Sequence, residues 1–271
     1  MKIYLNIFRV IGIFTIVQFL FGSMNIVIPL FQNDTYKGIF RPSLWFYEPS
    51  YLATYFSFYI GISLVRYTFN KRYKKDLLFS WFCTALTTSS TGFISIGISM
   101  FFLVLLQNSL YKKIKTFLLV LVSGVLLFII VAIIKFDILK IFLGRLFTEG
   151  IKTSSGVRVL GMIEALEVFK KFFILGIGAN SYENYHITGS PVTNVTLEIL
   201  TNLGIIGFFC FGYFFYYLYS IYKNKYSVEI KMMWISFLLF LIVLQANQNY
   251  MRLYMWVHIG IFIGMSQKIK K

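Results

Sequence analysis

The sequence predicts an all-α membrane protein, a polytopic bundle of about eight transmembrane helices with one long exterior loop containing an amphipathic helix. Its 271 residues are 58% hydrophobic and 20% aromatic but only 13% charged, which excludes an ordinary soluble domain. Several apolar runs reach the roughly 20 residues that an upright helix needs to cross a bilayer. Lys and Arg stand in short clusters between these runs, a pattern that orients helices in a membrane. The formal net charge of +16 therefore predicts contact with membrane lipids and no nucleic acid.

Five spans are predicted before the long loop. Residues 10–30 and 116–134 are each long enough for one span, and residues 51–65 become long enough with the aromatic residues that precede them. Residues 77–107 exceed the length of one upright helix, and a stretch rich in Thr and Ser at residues 84–91 marks their middle. We therefore predict two spans in this stretch.

Three further spans are predicted after the long loop. Residues 195–220 form one apolar run, whereas residues 233–265 are too long for one helix and are interrupted by Gln245, Asn247 and Arg252. With eight spans, every large Lys/Arg cluster falls on the same side of the membrane. These clusters are Lys71, Arg72, Lys74 and Lys75; Lys112, Lys113 and Lys115; Lys223, Lys225 and Lys231; and Lys268, Lys270 and Lys271. Because positive charge favours the cytoplasmic side, both termini are predicted to be cytoplasmic.

The long exterior loop, residues 135–194, separates the first five spans (residues 1–134) from the last three (residues 195–271). It is rich in basic residues, although loops of about 60 residues largely escape the charge rule. These residues are Lys135, Lys140, Arg145, Lys152, Arg158, Lys170 and Lys171. An exterior loop this basic predicts an anionic ligand, although most of its lysines are better explained by contact with lipid headgroups.

Arg158 is the strongest candidate for that ligand. Ser155 is predicted to cap a helix that starts at Gly156, which places Arg158 in the first turn. The apolar residues of this helix share one face, as expected for an amphipathic surface helix. They are Val159, Ile163, Leu166, Phe169 and Phe173. Free backbone N–H groups, the helix dipole and a guanidinium together suit a phosphate or pyrophosphate, whereas the alternative is a simple surface arginine.

Two further charged candidates precede prolines in the first exterior loop. Arg41 comes before Pro42 and Glu48 before Pro49, so both are predicted to lie in constrained, extended segments. An ion pair between Arg41 and Glu48 is the structural alternative to a role in binding.

The remaining polar features are less specific. Gly176 and Gly178 predict a turn, because no strand and helix of a dinucleotide fingerprint surround them. His186 has no second His or Cys nearby, so no zinc site is predicted, and an exposed loop histidine is the alternative. Ser89 belongs to the Thr/Ser stretch, which either binds substrate or satisfies backbone groups at a helix end inside the membrane.

Four segments resemble the bacterial O-antigen polymerase and O-antigen ligase superfamily. Arg41 followed by FYEPS at residues 46–50 is similar to the family's Arg, aromatic and Glu-Pro signature before a span. LTTSSTG at residues 86–92 resembles its break between two spans, with Ser90 where many members carry Arg. SGVRVLGMIEALEVFKKFFILGIG at residues 155–178 resembles the start of its large exterior loop. NVTLEILTNLGIIG at residues 194–207 resembles its entry into the next span, although Thr193 replaces the usual His.

The resemblance implies transfer of a glycan from a polyprenyl pyrophosphate carrier to an acceptor sugar hydroxyl at the outer face of the bacterial cytoplasmic membrane. The lipid-linked oligosaccharide is then the substrate, with no cofactor, nucleotide sugar or metal. Arg158 and Arg41 are candidates for the pyrophosphate, with Arg145 as a third. Glu48 or His186 would accept the proton. Further expected substrate contacts are Asn194, which would orient a sugar, and Ser89.

Three functions remain open at this point. The first is a polymerase that extends a capsule, O-antigen or exopolysaccharide chain, with a flippase and a chain-length regulator as expected partners. The second is a ligase that moves finished polymer to another acceptor. The third, a transporter, is disfavoured because the span interiors lack Asp, Glu, Lys and Arg apart from Arg9. Since family members commonly carry more N-terminal spans, the chain is expected to be a short or N-terminally truncated member.

Overall fold

The computed structural model describes residues 1–36, 39–107, 109, 111, 113–114, 154–179, 181–182, 192–224, 227–247 and 251–268. Within them it is predominantly helical, as predicted. The elements are α1 (Lys2–Ser23), β1 (Asn33–Tyr36), β2 (Ile39–Pro42), α2 (Pro49–Phe69), α3 (Lys74–Leu86), α4 (Ser90–Leu105), α5 (Ser154–Lys171), α6 (Val195–Asn224), α7 (Val228–Val243) and α8 (Leu253–Lys268). The chain divides into two units, Met1–Leu106 with Tyr216–Lys271 (the bundle unit) and Gln107–Phe215 (the second unit).

Three helices of the described part are long and apolar enough to cross a membrane: α1, α6 and Val228–Ala246, which is α7 with the 3-10 turn after it. Helix α4 is a shorter apolar helix. These findings confirm an all-α membrane helix bundle, and the small antiparallel hairpin of β1 and β2 is the exception among the described elements. The fifth predicted span, residues 116–134, lies outside the described residues.

The predicted bounds of the first span are wrong. The helix begins at Lys2 and ends at Ser23, instead of running from residue 10 to residue 30. It ends early because Asn25 adopts a positive φ of 60°, in the left-handed region that terminates a helix. Arg9 lies inside this helix, and its guanidinium pairs with Asp76 of α3 at 2.9 Å.

Both predicted splits of the overlong apolar stretches are confirmed. Helices α3 and α4 are separated by residues 87–89, where Thr88 has a φ of 46°. The two helices pack against each other as a hairpin, in which Trp81 Nε1 donates to Ser99 Oγ at 2.8 Å. Helices α7 and α8 are separated after the 3-10 turn Leu244–Ala246, where Asn247 is extended.

Helix α2 is the central element of the bundle unit. Nearly every residue from Pro49 to Val65 is buried, because α2 packs against α3, α4 and α7. At Gly61 a Cβ atom would lie 2.3 Å from Ser236 Cα of α7, so the two backbones cross in direct contact. Some hydroxyls of α2 bond to its own carbonyls: Thr54 Oγ1 donates to Ser50 O at 2.8 Å, and Ser57 Oγ donates to Thr54 O at 2.6 Å. Surrounding helices rather than lipid therefore cover this helix.

A buried histidine joins α8 to its neighbours. His258 stacks on Phe58 with 4.0 Å between ring centroids, and its Nδ1 lies 3.0 Å from the hydroxyl of Tyr4. Its Nε2 lies 3.1 Å from both Met233 O and Ser236 Oγ. Because a carbonyl oxygen can only accept, Nε2 carries the proton and Nδ1 accepts from Tyr4. One neutral imidazole thus connects α1, α2, α7 and α8.

Charged residues gather at the end of the bundle unit where α2 passes into α3, which we call the basic end. There the carboxylate of Asp76 accepts hydrogen bonds from Arg9 of α1 and from Arg66 of α2, the latter at 2.7 Å. Helix connectivity brings the described residues of three predicted Lys/Arg clusters to this same end. They are Lys71, Arg72, Lys74, Lys75, Lys223, Lys231 and Lys268. We call the opposite end, which carries β1 and β2, the hairpin end.

Candidate functional site

Arg41 lies in the β-hairpin at the hairpin end, in the extended conformation predicted for it. The register places Arg41 of β2 opposite Asp34 of β1, and Arg41 Nη1 lies 3.2 Å from Asp34 Oδ2. The alternative ion pair between Arg41 and Glu48 is therefore wrong, because the antiparallel register supplies a nearer carboxylate. The guanidinium is fixed by this cross-strand pair and its side chain is 16% exposed.

Gln18 of α1 holds the segment that connects the hairpin to α2. Its Oε1 accepts the backbone N–H groups of Ser43 and Leu44 at 3.1 and 2.8 Å, and its Nε2 donates to Gln32 O at 2.7 Å. Leu44 has a φ of 52°, so the segment turns sharply at this point. Sequence reasoning missed Gln18, whose only signal is an isolated amide inside an apolar run. It is 1% exposed and bonds groups that would otherwise be buried and unsatisfied.

Glu48 occupies the N-cap position of α2 and is extended, with φ −140° and ψ 153°, as predicted. Pro49 follows as the first residue of the helix. The side chain of Glu48 is exposed and accepts a hydrogen bond from Ser50 Oγ at 2.9 Å. The structure therefore presents this carboxylate at the surface of the hairpin end.

Arg252 joins Glu48 at this end. The guanidinium carbon of Arg252 lies 4.5 Å from the ring centroid of Tyr51, which is one helical turn after Glu48. The ring of Tyr47 also stacks on Tyr51, with 6.3 Å between the two ring centroids. Asn247 Nδ2 donates to Thr54 Oγ1 at 3.1 Å and so fixes the α7–α8 connection to the start of α2. A carboxylate, a phenol and a guanidinium thus lie on adjacent elements.

Sequence reasoning treated Arg252 as an interruption between two spans and missed it as a site residue. The available signal was an arginine in a polar break on the predicted exterior side. A carboxylate can accept a proton from a hydroxyl, and a guanidinium can bind a phosphate oxygen with its parallel N–H groups. The hairpin end therefore holds two of the groups that group transfer from a phosphate ester requires.

Two hydroxyls of the Thr/Ser stretch bond helix backbone carbonyls, as the structural alternative predicts. Thr84 Oγ1 donates to Ser80 O and Thr87 Oγ1 to Thr84 O, both at 2.7 Å. Ser89 stands at the N-cap position of α4 without a side-chain cap bond, and it is 2% exposed. A substrate contact at Ser89 stays a prediction.

In the second unit, α5 begins at Ser154. Ser155 therefore lies inside the helix, so the predicted cap at Ser155 is wrong and Arg158 lies beyond the first turn. The backbone of Arg158 is helical, but its side chain is outside the described residues, as are Arg145 and His186 altogether.

The inward face of α5 is made of small residues. Gly161 and Ala165 are buried, and Ala165 packs with Tyr182 and Val192. The hydroxyl of Tyr182 donates to Gly161 O at 3.1 Å. Burial raises the pKa of Tyr182 to about 12, so this phenol is protonated and is no base at neutral pH.

The predicted apolar stripe of α5 consequently points away from this small core. Its described members are exposed, apart from the half-buried Phe169: Val159, Ile163, Leu166 and Phe173. The expectation of a surface helix with an apolar face agrees with this arrangement. Which face packs on the protein was decided by residue size rather than by hydrophobicity.

The Gly-x-Gly segment after α5 forms the predicted turn, with φ of 70° at Gly176 and 104° at Gly178. It bonds to a kink in α6, where Gly204 has φ 63° and ψ −167°. Helical bonding is interrupted there, and Ile177 and Gly178 donate their N–H groups to carbonyls of α6 at 3.0 and 2.9 Å. A Cβ on Gly204 would lie 2.3 Å from Ile174 O, so the two backbones touch.

Asn194 stands at the start of α6, where its Oδ1 accepts the N–H of Leu197 at 3.0 Å. This bond caps the helix and fixes the direction of the side chain. Among the described residues there is no group of three His, Cys, Asp or Glu side chains that would hold a metal ion.

Replacement of Gly204 by Ala is expected to separate the Gly-x-Gly turn from α6, because the site combines a glycine-only backbone conformation with a backbone contact. Amide hydrogen exchange at Ile177 and Gly178 should rise at least tenfold. Gly212→Ala is the matched control, since a Cβ at Gly212 of the same helix meets nothing within 4 Å. Unchanged exchange in Gly204→Ala would contradict the proposed fit of these backbones.

Comparison with protein families shows what this chain is similar to. The family model described as O-antigen ligase matches residues 77–212, half of the chain. The matched region begins in α3 and ends within α6, and it contains three of the four segments that carry the sequence resemblance. No curated protein and no solved structure matches the chain. The chain belongs to the O-antigen ligase family and is a membrane enzyme of polysaccharide biosynthesis that acts on lipid-linked oligosaccharide.

Proposed function

We propose that this protein is a polymerase that joins lipid-linked oligosaccharide repeat units of a capsule, O-antigen or exopolysaccharide. It transfers the growing glycan from a polyprenyl pyrophosphate carrier at the outer face of the cytoplasmic membrane. The observation that carries the proposal is the grouping of Glu48, Tyr51 and Arg252 at the hairpin end, opposite the Lys/Arg clusters. In this orientation both termini are cytoplasmic and the hairpin end is exterior.

The reaction makes one glycosidic bond and breaks one bond to phosphate. Glu48 accepts the proton of the acceptor sugar hydroxyl, and the hydroxyl oxygen attacks the anomeric carbon of the donor. The bond between this carbon and the pyrophosphate oxygen breaks, and the carrier pyrophosphate leaves with the electron pair. Cationic side chains stabilise the charge that develops on it. The proposed cations are Arg158, Arg41, Arg145 and Arg252.

Several features support this assignment of roles. Glu48 is exposed, and because Pro49 follows it, its backbone is constrained at the N-cap position of α2. The ion pair with Asp34 orients the guanidinium of Arg41, and the Arg41 side chain is partly exposed. His186 is the rival base and Asn194 orients a sugar, with Ser89 as a further substrate contact. A flippase that supplies the repeat units and a chain-length regulator are the proposed partners.

The polymerase and the ligase are distinguished by what accumulates without the protein. A strain lacking the chromosomal copy should carry single repeat units on its surface acceptor, because ligation proceeds but extension does not. Gel separation of surface glycans measures this outcome, and a plasmid copy should restore the ladder. Accumulation of long polymer on its polyprenyl carrier would instead identify a ligase.

The proposed base is tested by comparing Glu48→Gln with His186→Ala in that strain. The Gln side chain keeps the size and hydrogen bonding of Glu48 but cannot accept the proton, so polymer formation should fall about 100-fold. His186→Ala should retain most of the polymer, and immunoblots should show equal protein. Full polymer in Glu48→Gln with loss in His186→Ala would reverse the two roles.

The pyrophosphate contact is tested at Arg158. Arg158→Ala should lower polymer formation by about 100-fold or more, because a cation that stabilises the leaving group is lost. Arg158→Lys should rescue poorly, since an ammonium cannot make a two-pronged phosphate contact. Lys170→Ala, on the same helix, is the control and should be nearly silent. Equal losses in Arg158→Ala and Lys170→Ala would indicate general surface charge instead.

A further inference from the structure

A cleft of about 500 Å³ opens at the basic end, far along the bundle unit from the groups proposed for transfer. Its lining includes the cationic side chains of Lys2, Arg9 and Arg66. It also includes the apolar side chains of Leu5, Phe69 and Met232. A lining that combines cations with apolar side chains suits a molecule with an anionic head and a hydrocarbon chain.

The cleft lies where three helices of the bundle unit end. Helix α1 begins at Lys2, α2 ends at Phe69, and α7 begins at Val228. Because α1 and Val228–Ala246 are two of the helices long enough to cross the membrane, their ends mark the level of the lipid headgroups. The cleft therefore faces the headgroup layer on the side of the Lys/Arg clusters.

The charges around the cleft leave room for one anion. Asp76 accepts hydrogen bonds from both Arg9 and Arg66, so one carboxylate balances two guanidinium groups. Lys2 adds a second uncompensated cation, and Glu229 on the cleft wall opposes it. The formal charges of these five side chains sum to +1, so they favour an anion such as a phosphodiester.

The geometry of the arginines also suits a phosphate oxygen. Arg66 uses its Nη1 on Asp76 at 2.7 Å, and its guanidinium carbon lies 3.7 Å from the ring centroid of Tyr73. The guanidinium of Arg66 is therefore held in one orientation over the Tyr73 ring. Its remaining N–H groups can donate to a ligand in the cleft. Asp76 orders the two arginines before any anion arrives, which lowers the entropic cost of binding.

We propose that this cleft binds the phosphodiester headgroup of an anionic membrane phospholipid, with an acyl chain lying along Leu5, Phe69 and Met232. Basic pockets between transmembrane helices bind anionic lipid headgroups in this way. Inorganic phosphate offers the same oxygen chemistry, but it would leave the apolar side chains of the lining uncovered. The site is separate from the groups assigned to glycan transfer, and it fails or holds independently of them.

The test uses the purified full-length protein in detergent and native mass spectrometry with increasing phosphatidylglycerol. Lys2→Gln should weaken binding about fivefold, as expected for one lost cation near a lipid headgroup. Glu229→Gln should strengthen binding by a similar factor, because it removes the opposing charge. Lys75→Gln is the matched control: it removes one exposed cation at the same end from a residue that does not line the cleft.

Thermal unfolding of each variant controls for folding, and Lys2 is the first choice because its loss leaves the Asp76 cluster intact. Equal weakening by Lys2→Gln and Lys75→Gln would overturn the proposal in favour of general surface charge. Equally tight binding of phosphatidylcholine by the wild type would overturn the preference for an anionic lipid. Lys2-dependent binding of inorganic phosphate that displaces phosphatidylglycerol at millimolar concentration would identify a free-anion site instead.

Discussion

Burial of α2 is the constraint on which the bundle unit depends. The helix is enclosed by other helices along most of its length, and at Gly61 its backbone touches α7 directly. Such close approach is possible because the residue has no side chain, and a well-packed contact of this kind holds membrane helices together where no hydrophobic drive exists. The same helix carries Glu48 at one end and Arg66 at the other. The positions of the proposed transfer groups and of the lipid cleft are therefore both set by how α2 is packed.

In the part of the chain that the structure describes, regular helix is interrupted at Thr88, at Asn247 and at Gly204. Inside a bilayer a broken helix is tolerated where other groups satisfy its backbone. Thr87 and Thr84 supply hydroxyls at the first break, and the Gly-x-Gly turn supplies N–H groups at the third. Each break thus forms part of a bonded unit.

Four arginines whose side chains the structure describes differ in their partners. Arg9, Arg66 and Arg41 are paired with carboxylates, and these pairs connect helices or strands. Arg252 instead lies over the ring of Tyr51 beside an exposed carboxylate. Among the described residues, lysines gather at the basic end, while these four arginines contact carboxylates or an aromatic ring of other segments.

The sequence by itself determined the membrane class, the two splits of overlong apolar runs, the extended backbone at Arg41 and Glu48, and the Gly-x-Gly turn. These features depend on composition, on run length and on the local preferences of Pro and Gly, which are properties of short segments. The tertiary structure decided that Arg41 pairs with Asp34, that α1 starts at Lys2, and that α5 packs through Gly161 and Ala165. It also revealed Gln18, Arg252 and His258. Each of these depends on contacts between elements far apart in the chain, which strand register, backbone separation and residue size decide and no local pattern encodes.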